Sequence, residues 1–279
     1  MVKVNTAVAV LLVISLAACK QSTKAESSSK KVAMAKPVSV KHKDSLNAAQ
    51  PIVNYFPADN GKYPLEILTA QLFHDGEVEP KLAKHRWKGL FKTGESYYIA
   101  DTKLRILRAH DDLMDDTGSN SGLEVKPGIK DTSILLISGL DELKNGNVNS
   151  IALTKNQLLP GEQESLVYND IKYTLYATGI KKSESSNSDF YSVSNYKLFL
   201  KAMINGKQYN QLLVSAPTFD DTLTSIIFAG DIDNDGIIDF IIDTTTEYNS
   251  EVPTLYLSKP ATGSDKLLKV MGMHGSIGC

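Results

Sequence analysis

The chain has 279 residues, 42% of them hydrophobic and 22% charged, with two cysteines and a formal net charge of −2. That length suffices for one large domain or two smaller ones, and two cysteines cannot supply a disulfide framework. The near-neutral total conceals an asymmetry, because residues 1–50 hold eight lysines against two acids and leave 22 basic and 30 acidic groups, a net −8, for the rest. An acidic body argues against nucleic acid as a partner.

Residues 1–18 read as a secretory signal, with Lys3 followed by the apolar run Ala7–Ala18. The run is too short to span a bilayer comfortably and ends on small residues. Cys19 comes next, giving Leu16-Ala-Ala-Cys19. This resembles the lipobox of bacterial lipoproteins, which implies cleavage before Cys19 and lipid on its thiol. Several acyl chains would anchor the protein firmly in the membrane, at about 0.8 kcal/mol for each buried methylene. Lys20 stands where an inner-membrane retention signal would have Asp, so the resemblance implies the outer membrane, on either its periplasmic or its surface face. Residues 19–50 are rich in Lys, Ser and Ala. They carry too little apolar surface to offset ordering entropy and are predicted to form a disordered basic tether. The tether either lies along anionic lipid head groups or is simply a soluble linker.

Residues 51–279 have a globular composition, with a possible internal boundary near 120–130. If Cys19 is lipidated, Cys279 is the only remaining thiol; it is either buried or paired with another chain. Leu65–Phe73 shows helical spacing. Ser96–Ala100 and Leu104–Arg108 read as short strands, and the uninterrupted apolar run Ser133–Ser138 as a strand buried on both faces. Leu166–Tyr168 and Ile171–Ala177, separated by Asn169-Asp170, predict a tight hairpin. Tyr196–Ile204 and Lys207–Ser215 flank Asn205-Gly206, which supplies the positive φ angles of a type I′ turn. Along the first arm Leu198, Leu200, Ala202 and Ile204 share one face, with Lys197, Lys201 and Met203 on the other. The predicted class is mainly β, built of antiparallel meanders and hairpins.

The most informative stretch is Asp231-Ile-Asp-Asn-Asp-Gly-Ile-Ile-Asp239. Aspartates fall at loop positions 1, 3, 5 and 9, with Gly236 at the sharp turn and the carbonyl of Ile237 at position 7. Hard cations such as calcium take six to eight oxygen ligands of these kinds. Four clustered carboxylates repel one another unless a cation sits among them. Position 12 is Ile242 rather than the bidentate Glu of an EF-hand, and the flanks Ser225–Ala229 and Phe240–Asp243 read as strands. Gly230–Ile242 resembles the FG-GAP/VCBS calcium repeat of integrin-like β-propeller blades. The resemblance implies calcium on Asp231, Asp233, Asp235 and Asp239, and a blade-like unit over residues 223–258 with Pro253–Ser258 as its next strand. The Asp-rich loop has no second copy, so a full propeller is not expected.

Other clusters carry less. Asp111–Asp116 is either a looser second cation site or a solvated loop. Trp87 and Phe91, four residues apart, mark either a surface aromatic patch or core packing. The five histidines lack zinc spacing, and no G-x-S-x-G elbow is present. The expected protein is a calcium-stabilised envelope lipoprotein with one structural ion. It would act as a non-catalytic binding or structural module on a ligand or envelope protein; the alternative is an envelope hydrolase with calcium as scaffold.

Overall fold

A computed structural model describes residues 54–58, 62–183 and 191–278. The expected signal peptide, lipidation site Cys19 and tether, and Cys279, lie outside them. Residues from Gln50 onward make one compact unit.

The strands run β1 (Glu66–Leu68), β2 (Leu72–Phe73), β3 (Trp87–Thr93), β4 (Ser96–Thr102), β5 (Leu104–Ala109), β6 (Gly122–Pro127), β7 (Thr132–Ser138) and β8 (Gly146–Val148). There follow β9 (Gln163–Tyr168), β10 (Ile171–Ser183), β11 (Tyr191–Ile204), β12 (Lys207–Thr218) and β13 (Ser225–Gly230). The chain closes with β14 (Asp239–Asp243), β15 (Ser250–Glu251), β16 (Pro253–Leu257), β17 (Lys269–Met273) and β18 (Ser276–Ile277). Two short 3-10 turns, Pro80–Lys84 and Lys259–Ala261, are the helical elements among the described residues. All pairs of these strands are antiparallel. Among the described residues the sheets neither close into a barrel nor form a propeller.

Three apolar clusters stack the sheets in layers. The sheet β12-β11-β10-β9 turns Tyr173, Leu175, Leu198 and Leu200 onto Phe240, Ile242 and Tyr256 of the sheet β13-β14-β16-β17. The opposite face of that second sheet, through Ile241, Leu255 and Leu257, meets Leu90, Leu135 and Ile137 of the sheet β1-β7-β3-β4-β8. That third sheet in turn presses Trp87, Phe91 and Leu136 onto Phe73, Leu104 and Val125 of the sheet β2-β6-β5. The central strands β7 and β14 of the two inner layers are packed on both faces. This explains the unbroken runs in β7 and β14, since neighbours such as Leu135 and Leu136 face different cores. Full burial of each large side chain contributes about 1.5–3 kcal/mol.

Both predicted hairpins form. Asn169 and Asp170 have φ of 48° and 61°, and Asn205 and Gly206 have 51° and 77°, the left-handed values that primed turns demand. Trp87 and Phe91 are core residues. One expectation fails: Leu65–Phe73 is not helical but holds β1 and β2. Ile67 pairs with Ile137 and Leu68 with Leu136, each pair facing a different core. An edge strand buried on both sides, followed by a step into the next sheet, places apolar residues at intervals that imitate a helix.

Candidate metal centre

The loop between β13 and β14 opens beside a close backbone approach. Gly230 lies against the Asn149–Ser150 segment, where a Cβ would stand 2.4 Å from the Asn149 carbonyl oxygen. The Asn149 carbonyl then accepts the Asp231 N–H at 3.0 Å. Asn234 and Gly236, with φ of 57° and 89°, turn the chain back toward β14. The loop therefore enters and leaves on two paired strands of an inner sheet.

Carboxylate oxygens of Asp231, Asp233 and Asp239 lie within 4.8 Å of one another, a group that could hold a metal ion. Asp239 is fully buried and Asp231 nearly so. Backbone donors orient them. Asp239 Oδ2 accepts the N–H of Ile232 at 2.7 Å and of Asp233 at 3.3 Å, and its Oδ1 accepts the N–H of Ser258 at 2.7 Å. Asp231 accepts from Asp235 N and Gly236 N, both at 3.0 Å. Asp235 is turned slightly aside: its Oδ1 accepts the Ile237 N–H and the Ser258 hydroxyl, each at 2.9 Å. Ile237 occupies the turn with its side chain packed against the core.

The carboxylates are crowded and incompletely hydrogen-bonded. Ser258 Oγ lies 2.9 Å from both Asp235 Oδ1 and Asp239 Oδ1 but has one proton to give. Asp233 Oδ1 is buried with no hydrogen-bond partner. Burial first, and then the charges of Asp235 and Asp231, push the Asp233 carboxyl up to about 7. Burial and the Asp233 charge drive Asp239 well above the usual carboxylate range. A cation among these oxygens would reverse both effects. The three carboxylates offer oxygen donors, the kind that hard cations take.

Four contributors to the site were not predicted. Tyr168 donates its hydroxyl to Asp231 Oδ2 at 3.1 Å, and Asn169 donates Nδ2–H to the Gly236 carbonyl at 2.9 Å. Ser258 closes the far side from the end of β16, and the Lys259 N–H reaches Asp233 Oδ2 at 3.3 Å. The Asn-Asp turn is visible in the sequence; its place over the loop depends on how two sheets pack.

In the Asp111–Asp116 segment Asp112, Leu113, Met114 and Asp116 are exposed, as in a solvated loop, while Asp111 and the Asp115 side chain are buried. Asp111 is wholly buried and its Oδ2 accepts from Nδ1 of the mostly buried His74. Its Oδ1 accepts the N–H of Leu113 and of Met114 at 3.1 and 3.3 Å. Asp115 Oδ2 accepts from Asp111 N and Ser121 N at 2.9 and 2.7 Å. The hydrogen bond from His74 holds the Asp111 carboxyl below its usual range, and the same contact raises His74.

Comparison with protein-family models, with curated proteins and with solved structures gives no match.

Proposed function

We propose that the chain is a lipid-anchored protein of the bacterial envelope whose mainly β body binds one structural calcium ion and acts as a non-catalytic binding or structural module. The observation that carries the ion is the convergence of Asp231, Asp233 and Asp239 carboxylates in a buried loop with an unpartnered Asp233 oxygen. The remaining ligands in this reading are Asp235 and the Ile237 carbonyl. The resemblance to the FG-GAP/VCBS loop is supported by its setting, a four-stranded antiparallel meander that the loop opens. Binding to the folded state alone stabilises by RT ln(1 + [Ca]/Kd), about 2.7 kcal/mol at a hundredfold excess over Kd. The anchor would be Cys19 with the basic tether of residues 20–50, placing the body at the outer membrane. Among the described residues no helix is long and apolar enough to cross a membrane.

Calorimetric titration of the full chain with calcium, beside Asp233→Ala, tests the ion. One ion and a raised melting temperature in the parent, with neither in the variant, is the expected result; no response in the parent overturns it. Cys19→Ser tests the address independently: the protein is expected to leave the membrane fraction and to lose labelling by radioactive palmitate.

One observation favours the second reading, an envelope hydrolase. Buried Asp111 fixes the His74 ring through Nδ1, the arrangement by which a carboxylate orients a general base. Hydrolysis of an ester, peptide or glycan panel at pH 8 that is lost in His74→Gln, while circular dichroism shows the variant still folded, would establish it.

A further inference from the structure

The sheet β12-β11-β10-β9 is an outermost layer, and its outer face has a charge opposite to that of the body. Strands β10, β11 and β12 carry six lysines and no Asp or Glu, and Lys172, Lys197 and Lys201 stand on the outer face. In β9 the one acid, Glu164, turns inward and is buried against the Thr154 N–H and hydroxyl. Residues 51–279 as a whole are net −8, so this basic face is a local reversal.

The register places its groups. Tyr173, Leu175, Leu198 and Leu200 point into the core, so the alternate residues Lys172, Thr174, Tyr176, Lys197, Phe199 and Lys201 point out. Thr174 pairs with Lys201, which makes Lys172 and Lys201 diagonal neighbours, roughly 7–8 Å apart at Cβ. Lys197 lies four residues from Lys201 on one strand, about 13 Å away at the usual strand rise. None of the three forms an ion pair among the described residues. The Tyr176 and Phe199 rings stack at 5.1 Å and form a ridge. The Tyr176 hydroxyl donates to Asn210 Oδ1 at 2.8 Å, and the Asn210 amide protons have no acceptor among the described residues. Beside the ridge lies a groove of about 640 Å³ lined by Lys172, Thr174, Lys201, Met203, Gln163 and Gln208.

We propose that this face binds an acidic polysaccharide. Its anionic groups would lie over Lys172, Lys201 and Lys197, with sugar hydroxyls against the amides of Gln163, Gln208 and Asn210 and the Thr174 hydroxyl. Cations spread over about 13 Å fit repeated charges on a chain better than a single small ion. Amides and hydroxyls between them fit a ligand that alternates charge with hydroxyls. Nucleic acid is disfavoured because its dense charge would meet the acidic remainder of the body. The proposal rests on reading the body as a binding module and does not require the cation.

The test is titration of the full chain with hexagalacturonate and with a heparin hexasaccharide, which separate carboxylate from sulfate as the source of charge. Fully methyl-esterified hexagalacturonate is the neutral control. Binding to at least one acidic probe is expected, weakened by added salt, absent for the ester and reduced at least tenfold in Lys172→Gln/Lys201→Gln. Lys144→Gln, elsewhere on the body, is expected to bind like the parent. Binding to neither acidic probe, equal binding of the ester, or an unaffected double variant overturns the proposal. So does binding confined to oligothymidylate or to phosphatidylglycerol vesicles. Each titration is repeated in calcium and in EDTA with melting temperatures recorded. A lost calcium response with intact glycan binding overturns the cation reading alone; the converse overturns this one.

Discussion

Tyr168 donates its hydroxyl to Asp231 Oδ2 at 3.1 Å across 63 residues of chain. With Asn169 on the Gly236 carbonyl, the turn of the β9–β10 hairpin helps set the shape of a loop in the neighbouring sheet. A hydrogen bond to a charged group contributes about 1.5–3 kcal/mol, less where water can replace it. Tyr168→Phe keeps the ring and removes the donor. Its melting temperature is expected to fall by a few degrees, and its calcium affinity to weaken about tenfold for each 1.4 kcal/mol lost. An unchanged calcium affinity would show that the loop takes its shape from residues 231–239 alone.

Asp233 separates a ligand from a structural acid. Its Oδ1 lacks a partner and its Oδ2 has one long contact, so Asp233→Asn loses little hydrogen bonding. The folded-state carboxyl, at about 7, lies above the ordinary 3.8. Its contribution to cation-free stability is therefore fully present below about pH 4 and lost as pH rises through 7. In EDTA the variant is expected to lack this component of pH dependence and to equal or exceed the parent in melting temperature at pH 8. In calcium the order is expected to reverse. A variant that still gains stability from calcium would remove Asp233 from the ligand set.

What was legible follows from how local the causes are. Asn205-Gly206 and Asn169-Asp170 announce hairpins because few residues accept positive φ, and the aspartate spacing announces a cluster of carboxylates that could hold a metal ion because ligand geometry is written in consecutive residues. The stacking of the sheets is not local. It turned Leu65–Phe73 into a false helix, buried Asp111 where four acids suggested solvent, and brought Ser258 and Tyr168 to a loop far from them in sequence. A two-residue turn can be read from its own dihedral needs; its distant neighbours cannot.

The His74–Asp111 pair predicts a bounded pH window. Its contact raises His74, so that contribution is fully present below pH 6.5 and lost as pH rises through the folded value. Asp111 is lowered, so its contribution is present above 3.8 and lost as pH falls through the folded value. Glu77, which accepts the His74 N–H at 2.8 Å, adds to the His74 shift. Asp115 and His110 stand beside Asp111 on the same turn. The stability difference between the parent and His74→Gln is expected to be greatest between about pH 4 and 6.5 and to shrink on both sides, as read from urea midpoints. A difference that grows above pH 7 would contradict the pairing.

The inner position of β14 makes the sharpest packing prediction. A strand with one solvent face tolerates truncation at alternate positions, because only every second side chain is buried. In β14, Phe240 faces the cluster under the β9–β12 sheet and Ile241 the cluster under the β1–β7–β3–β4–β8 sheet, and both are fully buried. Phe240→Ala is expected to cost about 3–5 kcal/mol and Ile241→Ala about 2–5 kcal/mol. The two residues are sequence neighbours but open cavities in different cores, so the double variant is expected to be close to additive. Urea unfolding of the three variants decides it. A small cost at either single position would mean that one face of the sheet is not packed, and the layered arrangement would then fail where the aspartate loop is attached.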